Sequence, residues 1–272
     1  MPIYLNPNAK INLGLRILSK RPDAYHEIET LMYPIPINDS LSLEIADKYI
    51  FTSDGLPIPG NPDENHCVKA FKLLQQDFGI AAVHMHLHKQ IPIGAGLGGG
   101  SSDAAFVLKG LNQLFQLDLS TQSLENYAAR LGSDCPFFIA NKPALASGRG
   151  EVLQSYTLDL ARLTFVLVKP SVSVGTAEAY AAVKPNPIGE SLASILQKPI
   201  RNWRNELRND FEDSVFTKYP IIREIKSFLY AQGAVYASMS GSGSSVFGLF
   251  EGQTPTVDFT FGTGYHTFVC KL

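Results

Sequence analysis

A chain of 272 residues with 45% hydrophobic and 10% aromatic residues carries enough apolar material for one large core or two packed lobes. The net charge of −2, without any basic block, argues against a protein built to coat nucleic acid or an anionic membrane, so an anionic ligand has to be held by local groups. Cys67, Cys135 and Cys270 are widely spaced, the start MPIYLNPNAKINLG lacks a charged-then-apolar leader, and no apolar run approaches a membrane span; a cytoplasmic protein with reduced thiols is expected.

Residues 9–17 alternate, with Ala9, Ile11, Leu13, Leu15 and Ile17 on one face and Lys10, Asn12, Gly14 and Arg16 on the other. That is the pattern of a half-buried strand, and it points Lys10 and Asn12 the same way. A second alternating segment, Leu41 to Ile45, follows the turn signal NDS. From Asn65 to Phe78, Val68, Phe71, Leu74 and Phe78 recur at helical spacing. In AVHMHLHKQIP, Val83, Met85 and Leu87 alternate with His84, His86 and His88, predicting a strand that feeds a glycine loop. Histidines on one strand face read either as metal ligands or as a solvated face; the sequence sets no acidic or cysteine partner beside them, which favours the solvated face.

Ser102 to Phe115 predicts a helix with a broad apolar face. Thr121 to Leu131 predicts another, capped by Ser120 and ended by Gly132 as a C′ glycine. The Pro- and Gly-containing VKPNPIGE separates this half from helices expected near Asn205 to Phe216 and Ile221 to Ala231. The stretch AVYASMSGSGSSVFGLF then predicts a strand, a Gly/Ser loop and a second strand. The lobe boundary is expected near residue 155, giving an N-terminal nucleotide-binding lobe 1–155 and a C-terminal lobe 156–272.

The stretch PIGAGLGGGSSDAA places five glycines directly before a helix. Each glycine costs roughly 0.5–1 kcal/mol relative to alanine inside a regular element, so this density calls for unusual backbone angles or for something pressed against the chain. A slack linker would not be bracketed so tightly by a strand and a helix. Gly94, Gly96 and Gly99 do spell G-x-G-x-x-G, but one helix follows another where a dinucleotide fold needs a parallel strand and an acidic residue about 20 positions on. No Gly-Lys-Ser/Thr closes a Walker A loop. The remaining reading is a cradle of backbone N–H groups and a helix N-terminus facing phosphates, with Ser101 and Ser102 as hydroxyl donors or a metal ligand.

The string P-x-G-x-G-L-G-G-G-S-S resembles the central nucleotide loop of the GHMP kinases. NAKINLGLRILSKRPDAYHEIETL is similar to the N-terminal signature, A-K-x-N-L-x-L then R-x-D-G-Y-H, of members acting on a cytidine-diphosphate-linked methylerythritol. Lys10, Asn12, Asp23, Tyr25 and His26 fall in register, and Ala24 stands where glycine is usual. LGSDCPFF resembles G-A/S-D-V/I-P-F-F, with Cys135 in place of a β-branched residue, and MSGSGSSVFG resembles the third motif of the family. The matched pieces run from residue 8 to about 248, while roughly the last twenty residues match nothing.

The resemblance implies a two-lobed α/β (α+β) GHMP-kinase-like fold, with an N-terminal lobe like ribosomal protein S5 domain 2, a ferredoxin-like C-terminal lobe and the active site in the cleft between them. It implies transfer of the γ-phosphoryl of ATP, with Mg²⁺, to the 2-hydroxyl of the cytidine compound, a step toward isoprenoid precursors by the non-mevalonate route. Asp134 would serve near the attacking hydroxyl, with Lys10 orienting it and stabilising charge. Pro92, Ile93, Gly94, Ala95, Gly96, Leu97, Gly98, Gly99, Gly100, Ser101 and Ser102 would take ATP, Ser102 also serving Mg²⁺. Asn65 is open between nucleotide contact and a plain N-cap. Asn12, Tyr25, His26, Tyr180, Ser240 and Gly241 would take the acceptor, the aromatic groups at its base.

On the residues alone, Ser-Asp before Pro136 is also a common turn, a lysine on a polar strand face is commonly solvated, and Ser240 to Gly243 also reads as a tight turn. The expected partner is a small molecule, with no nucleic acid and no membrane, and the protein a monomer or homodimer. Two alternatives stand beside this reading: a GHMP kinase for mevalonate, homoserine or a sugar, which has no nucleobase for Tyr25 and His26, and a silent nucleotide-binding protein, against which the presence of both Lys10 and Asp134 argues.

Overall fold

The computed structural model describes residues 1–252 and 264–272, and its strands and helices come in blocks along the chain. In chain order they are β1 (Ile3–Leu5), β2 (Asn8–Lys20), β3 (His26–Asn38), β4 (Ser40–Ile45), β5 (Ile50–Gly55), α1 (His66–Phe78), β6 (Val83–Lys89), α2 (Gly99–Leu114), α3 (Thr121–Ala129), α4 (Phe137–Ala140), β7 (Ala144–Ser147), β8 (Val152–Ser155) and β9 (Leu163–Lys169). There follow α5 (Thr176–Ala182), α6 (Leu192–Leu196), α7 (Ile200–Glu206), α8 (Glu212–Lys218), α9 (Pro220–Ala231), β10 (Tyr236–Met239), β11 (Val246–Glu251) and β12 (His266–Lys271). The chain end that the sequence left unassigned lies partly in residues 253–263, outside the described residues.

Two compact units form, each assembled from segments that alternate along the sequence: one holds Met1–Lys10, Pro36–Ile93 and Gly98–Lys142, the other Ile11–Ile35, Gly94–Leu97 and Pro143–Leu272. In the first, the sheet order is β1-β4-β6-β5, with β5 parallel to β6 and the other pairs antiparallel. The register sets Leu41 opposite Leu87 and Leu43 opposite Met85, so the apolar side chains share one face. Helices α1 and α2 pack together, and α2 lies on β4. The approach is close: a Cβ on Gly110 of α2 would meet Leu43 Cδ1 at 2.5 Å and Leu5 Cδ1 at 2.6 Å.

In the second unit, β10-β11-β9-β12 make an antiparallel sheet; a further sheet, β2-β3-β7-β8, lies largely in this unit, with β3–β7 and β7–β8 antiparallel. All seven residues of β9 are buried. Leu15, Ile17 and Ile28 share a core with Val166, Val168, Phe211, Ile222, Ile225, Leu229 and Val246. Each such side chain contributes on the order of 1.5–3 kcal/mol by leaving water.

Several expectations change. β2 is buried on both faces as far as Leu15, so its polar side is not solvated there. α2 begins at Gly99, three residues ahead of the expected start. Phe78, placed on the apolar stripe of α1, is 41% exposed because the helix ends there at Gly79 in the left-handed conformation. α3 stops at Ala129, and Gly132 has no positive φ, so it is not the left-handed stop.

No single helix covers 205–216: Leu15 N–H donates to Arg208 O at 2.9 Å and Asp210 N–H to Leu15 O at 2.8 Å, a bridge to β2 that takes the backbone out of the helical ladder between α7 and α8. Among the described residues no helix is long and apolar enough to cross a membrane.

Candidate active site

The five glycines of the loop do different jobs. Gly94, Gly96 and Gly98 have φ of +62°, +75° and +70°, a region that costs an L-residue about 1–2 kcal/mol. A Cβ on Gly96 would sit 1.9 Å from the Ser240 carbonyl oxygen, so that residue is glycine because another backbone lies on it. Gly98 is the N-cap of α2, with Phe138 Cζ and Lys10 Cε at 3.0 and 3.2 Å from the position of a Cβ; Gly99 faces Ile91 and the Lys89 ammonium. Gly94 and Gly100 meet nothing within 4 Å. Pro92, Ala95 and Leu97 are buried and Ile93 half-buried, which pins the loop to the fold.

The first bond inside α2 is Ser102 N–H to Gly98 O at 2.8 Å, leaving the amides of Gly99, Gly100 and Ser101 without an intrahelical acceptor, as at any helix start. Those three amides and the helix dipole favour an anion. Ser102 is fully buried, and its Oγ has no hydrogen-bond partner among the described residues. An orphaned hydroxyl at this point suits a Mg²⁺ ion arriving with a nucleotide.

Lys10, on β2, is 3% exposed, which excludes the solvated-surface reading. Its Nζ lies 3.3 Å from Asp134 Oδ2, and its stem runs past the Gly98 cap, so a cation, a carboxylate and a helix N-terminus converge. Asp134 is held in the turn between α3 and α4 by the bond from Cys135 N–H to Gly132 O at 3.2 Å. Cys135 is buried, its thiol pushed up to about 12 by burial, and it shares a hydrogen bond with the Ser101 side chain.

In the second unit Asn12 is 3% exposed; its amide N–H donates to Ser240 Oγ at 3.3 Å and its Nδ2 to Thr30 Oγ1 at 3.0 Å. Ser240 Oγ in turn donates to Gly96 O at 2.8 Å. Gly243 N–H closes on Ser240 O at 3.0 Å, so the Gly/Ser segment is the tight turn and touches the glycine loop as well. Gly241, at φ +55°, packs within 3.2 Å of Gly96 and 3.3 Å of Asn12 Oδ1, measured from the position of a Cβ.

His26 stacks on Tyr180, ring centroids 5.0 Å apart, and Tyr180 meets Phe211 edge-on at 4.8 Å. Burial, with Lys20 nearby, holds the His26 imidazole below its ordinary value. Tyr25 is 55% exposed and faces Arg149, whose guanidinium carbon is 4.9 Å from the ring centroid; the sequence reading missed this cation. Ala24, standing where glycine is usual, has φ +67°.

Asn65 caps α1, its Oδ1 accepting from Cys67 N–H at 2.8 Å. His84 is exposed while His86 and His88 are half-buried, and an acidic neighbour that the sequence did not place is present: His88 Nδ1 lies 2.6 Å from Asp54 Oδ1 across the β5–β6 register. Among the described residues no three metal-ligating groups come together.

A buried ion cluster also escaped the sequence reading: Lys89 pairs with Asp103 at 2.7 Å and with Asp39, whose Oδ1 accepts from Ile91 N–H at 2.8 Å. Burial acts against the Lys89 charge, but Asp103 and Asp39 outweigh it and raise the ammonium above its ordinary value. Lys89 continues the inward parity of Val83, Met85 and Leu87, and a lysine at an inward position was the available signal. The cluster ties the exit of β6 to the first turns of α2, and breaking such a pair costs about 3–5 kcal/mol.

Residues 65–142 match the GHMP kinases N terminal domain and residues 191–256 the GHMP kinases C terminal domain. The chain belongs to the GHMP kinase family, with the mixed α/β two-domain fold of that family, and is an ATP-dependent small-molecule kinase. It is 50% identical over 263 residues to the 4-diphosphocytidyl-2-C-methyl-D-erythritol kinase of Bacteroides fragilis, covering 95% of this chain and 96% of that one. The protein of the same name from Bacteroides thetaiotaomicron is 49% identical over 270 residues, 98% of each chain. A crystal structure of 4-(cytidine 5'-diphospho)-2C-methyl-D-erythritol kinase superposes with TM-score 0.79 at 35% identity, covering 92% of this chain and 91% of that one. The Methanococcus jannaschii mevalonate kinase, at 12% identity, TM-score 0.71 and coverage of 100% and 98%, shares the fold.

Proposed function

We propose that this chain transfers the γ-phosphoryl of ATP to the 2-hydroxyl of 4-diphosphocytidyl-2-C-methyl-D-erythritol, as the names of its relatives indicate. The observation that carries the chemistry is the Lys10–Asp134 pair at the cap of α2. Asp134 accepts the proton of the acceptor hydroxyl; Lys10 keeps the carboxylate oriented and stabilises negative charge as the phosphoryl group moves. Gly94 and the open amides at Gly99, Gly100 and Ser101 receive the polyphosphate, and Gly96 fixes the loop's path.

Ser102 is assigned to Mg²⁺, which would neutralise phosphate charge when bound with ATP. Asn12, Ser240 and Gly241 bound the acceptor, and Tyr25, His26 and Tyr180 take its cytosine, with His26 neutral at pH 7 as a hydrogen-bonding partner.

In this reading the nucleotide-binding lobe, S5-domain-2-like, is drawn from residues 1–155 and the ferredoxin-like lobe from residues 156–272, with Ile11–Ile35 and Gly94–Leu97 belonging to the compact unit that holds the latter; the antiparallel sheet β10-β11-β9-β12 with α8 and α9 supports the ferredoxin-like part. A cytoplasmic location is supported by three unpaired cysteines. The test is ADP release with the cytidine compound, mevalonate, homoserine and a sugar offered separately. Turnover of the cytidine compound alone is expected, and turnover of mevalonate in its place would defeat the assignment.

A further inference from the structure

We infer that Asn209 is a positioning residue for phosphoryl transfer, holding the Ser240–Gly241 corner against Gly96 and Asn12; the inference rests on the kinase reading above and deepens it. Asn209 is 2% exposed and lies in the extended stretch between α7 and α8 that bridges to Leu15. Its Nδ2 donates to Met239 O and to Gly241 O, each at 2.8 Å, the two carbonyls that flank Ser240. Its Oδ1 accepts from Phe211 N–H at 3.0 Å. Both amide protons and the amide oxygen are thus committed to backbone groups, a pattern no other side chain of this size reproduces.

The corner that Asn209 grips is where two parts of the proposed site meet. Ser240 Oγ bonds Gly96 O, in the nucleotide loop, and takes the N–H of Asn12, assigned to the acceptor. Gly241 lies close enough to both that a Cβ there would stand 3.2 Å from Gly96 and 3.3 Å from Asn12 Oδ1, so a shift of the corner is passed to them. It moves Gly96 and Asn12 together. The start of α2 is held separately, by Lys89 with Asp39 and Asp103. Loss of Asn209 therefore degrades alignment for transfer while leaving most of the hold on the polyphosphate, and misplacement of about 1 Å is enough to cost on the order of a hundredfold in rate.

The experiment compares Asn209→Ala, Asn209→Asp, Ser240→Ala and the double variant Asn209→Ala/Ser240→Ala. It measures kcat, KM for both substrates, equilibrium ATP binding, and the folded state by near-ultraviolet circular dichroism and melting. Asn209→Ala is expected to lower kcat about tenfold or more with ATP affinity changed less than about threefold, and Asn209→Asp, which aims a carboxylate at two carbonyls, to be worse. In the Ser240→Ala background the Asn209→Ala effect is expected to shrink below about twofold, since the residue acts through Ser240.

Unchanged kcat per folded molecule with only a lowered melting temperature would overturn the inference, and so would effects that multiply in the double variant. Should the Asn209 variants not fold, Ser240→Ala alone decides: it must lower kcat, and full activity there removes the corner from the mechanism. Failure of the wild-type chain to phosphorylate the cytidine compound would instead remove the functional reading itself.

Discussion

The Lys10 ammonium stands 3.3 Å from the Asp134 carboxylate, the lysine side chain 4% and the aspartate 32% exposed, so one partner is fixed in the interior while the other can reach a substrate. Asp134→Asn keeps the shape and removes the base. Turnover is expected to fall by a factor of about a hundred or more, with folding and ATP binding near normal. Single-turnover kinetics alongside equilibrium nucleotide binding check this, and undiminished turnover removes Asp134 from the chemistry.

Two glycines of one loop should respond in opposite ways to alanine. Gly96→Ala meets the Ser240 carbonyl at 1.9 Å from a position with φ +75°, and is expected to destabilise the fold by about 2–5 kcal/mol. Gly100→Ala meets nothing within 4 Å inside a helical turn, so stability should hold or rise by up to about 1 kcal/mol. Its methyl group would stand where phosphate is proposed to approach, and KM for ATP should rise. Urea unfolding and ATP titration separate the two; a Gly100→Ala variant with unaltered ATP affinity counts against the phosphate cradle.

For His26, burial holds the imidazole below the ordinary 6.5, so it is neutral at pH 7 and gains its proton only as pH falls through that lowered value. The sign follows: the neutral side chain's contribution is present above 6.5 and lost on acidification. KM for the cytidine substrate is expected to be flat from pH 7 to 8.5 and to rise below 6.5, and His26→Gln should remove that rise. An inflection above 6.5 would contradict the neutral assignment.

The cysteines should differ in reactivity. Cys67 and Cys135 are buried, and burial raises both thiols, Cys135 to about 12. Cys270 is half-buried near the chain end and raised less. Native protein with iodoacetamide at pH 8 is expected to label Cys270 first, as peptide mapping will show, and early labelling of Cys135 would mean the turn beside Asp134 opens readily.

Much of the site was legible because glycine and charge patterns survive without coordinates. The nucleotide loop, Lys10 and Asp134 belong to this class, whereas the stack of His26 on Tyr180 is a contact the sequence did not announce. What stayed hidden depended on partners distant in sequence. Nothing near Asn209 announces that its amide will meet Met239 and Gly241, and the bridge to Leu15 overrode a helical pattern across 205–216. Gly96 looked like a phosphate contact and is required first by the Ser240 backbone. Phe78 had the right spacing for the core, but helix termination left it exposed.

Ala24, at φ +67°, marks a place where the sequence resists its own backbone. Ala24→Gly is expected to stabilise the chain by up to about 1 kcal/mol, the relief of the left-handed conformation exceeding the added freedom of the unfolded state. A shift of the urea midpoint to higher concentration checks it, whereas an unchanged or lower midpoint would show that the turn before Tyr25 carries little strain.

Leu15, Ile17 and Ile28 share their core with residues as late as Val246 and Phe250. A ribosome therefore releases these early strands long before their packing partners exist, and neither unit can be cut out as one uninterrupted fragment. Assembly of that core waits on residues as late as Phe250, which makes it a slow, high-contact-order event during which the early strands stay exposed.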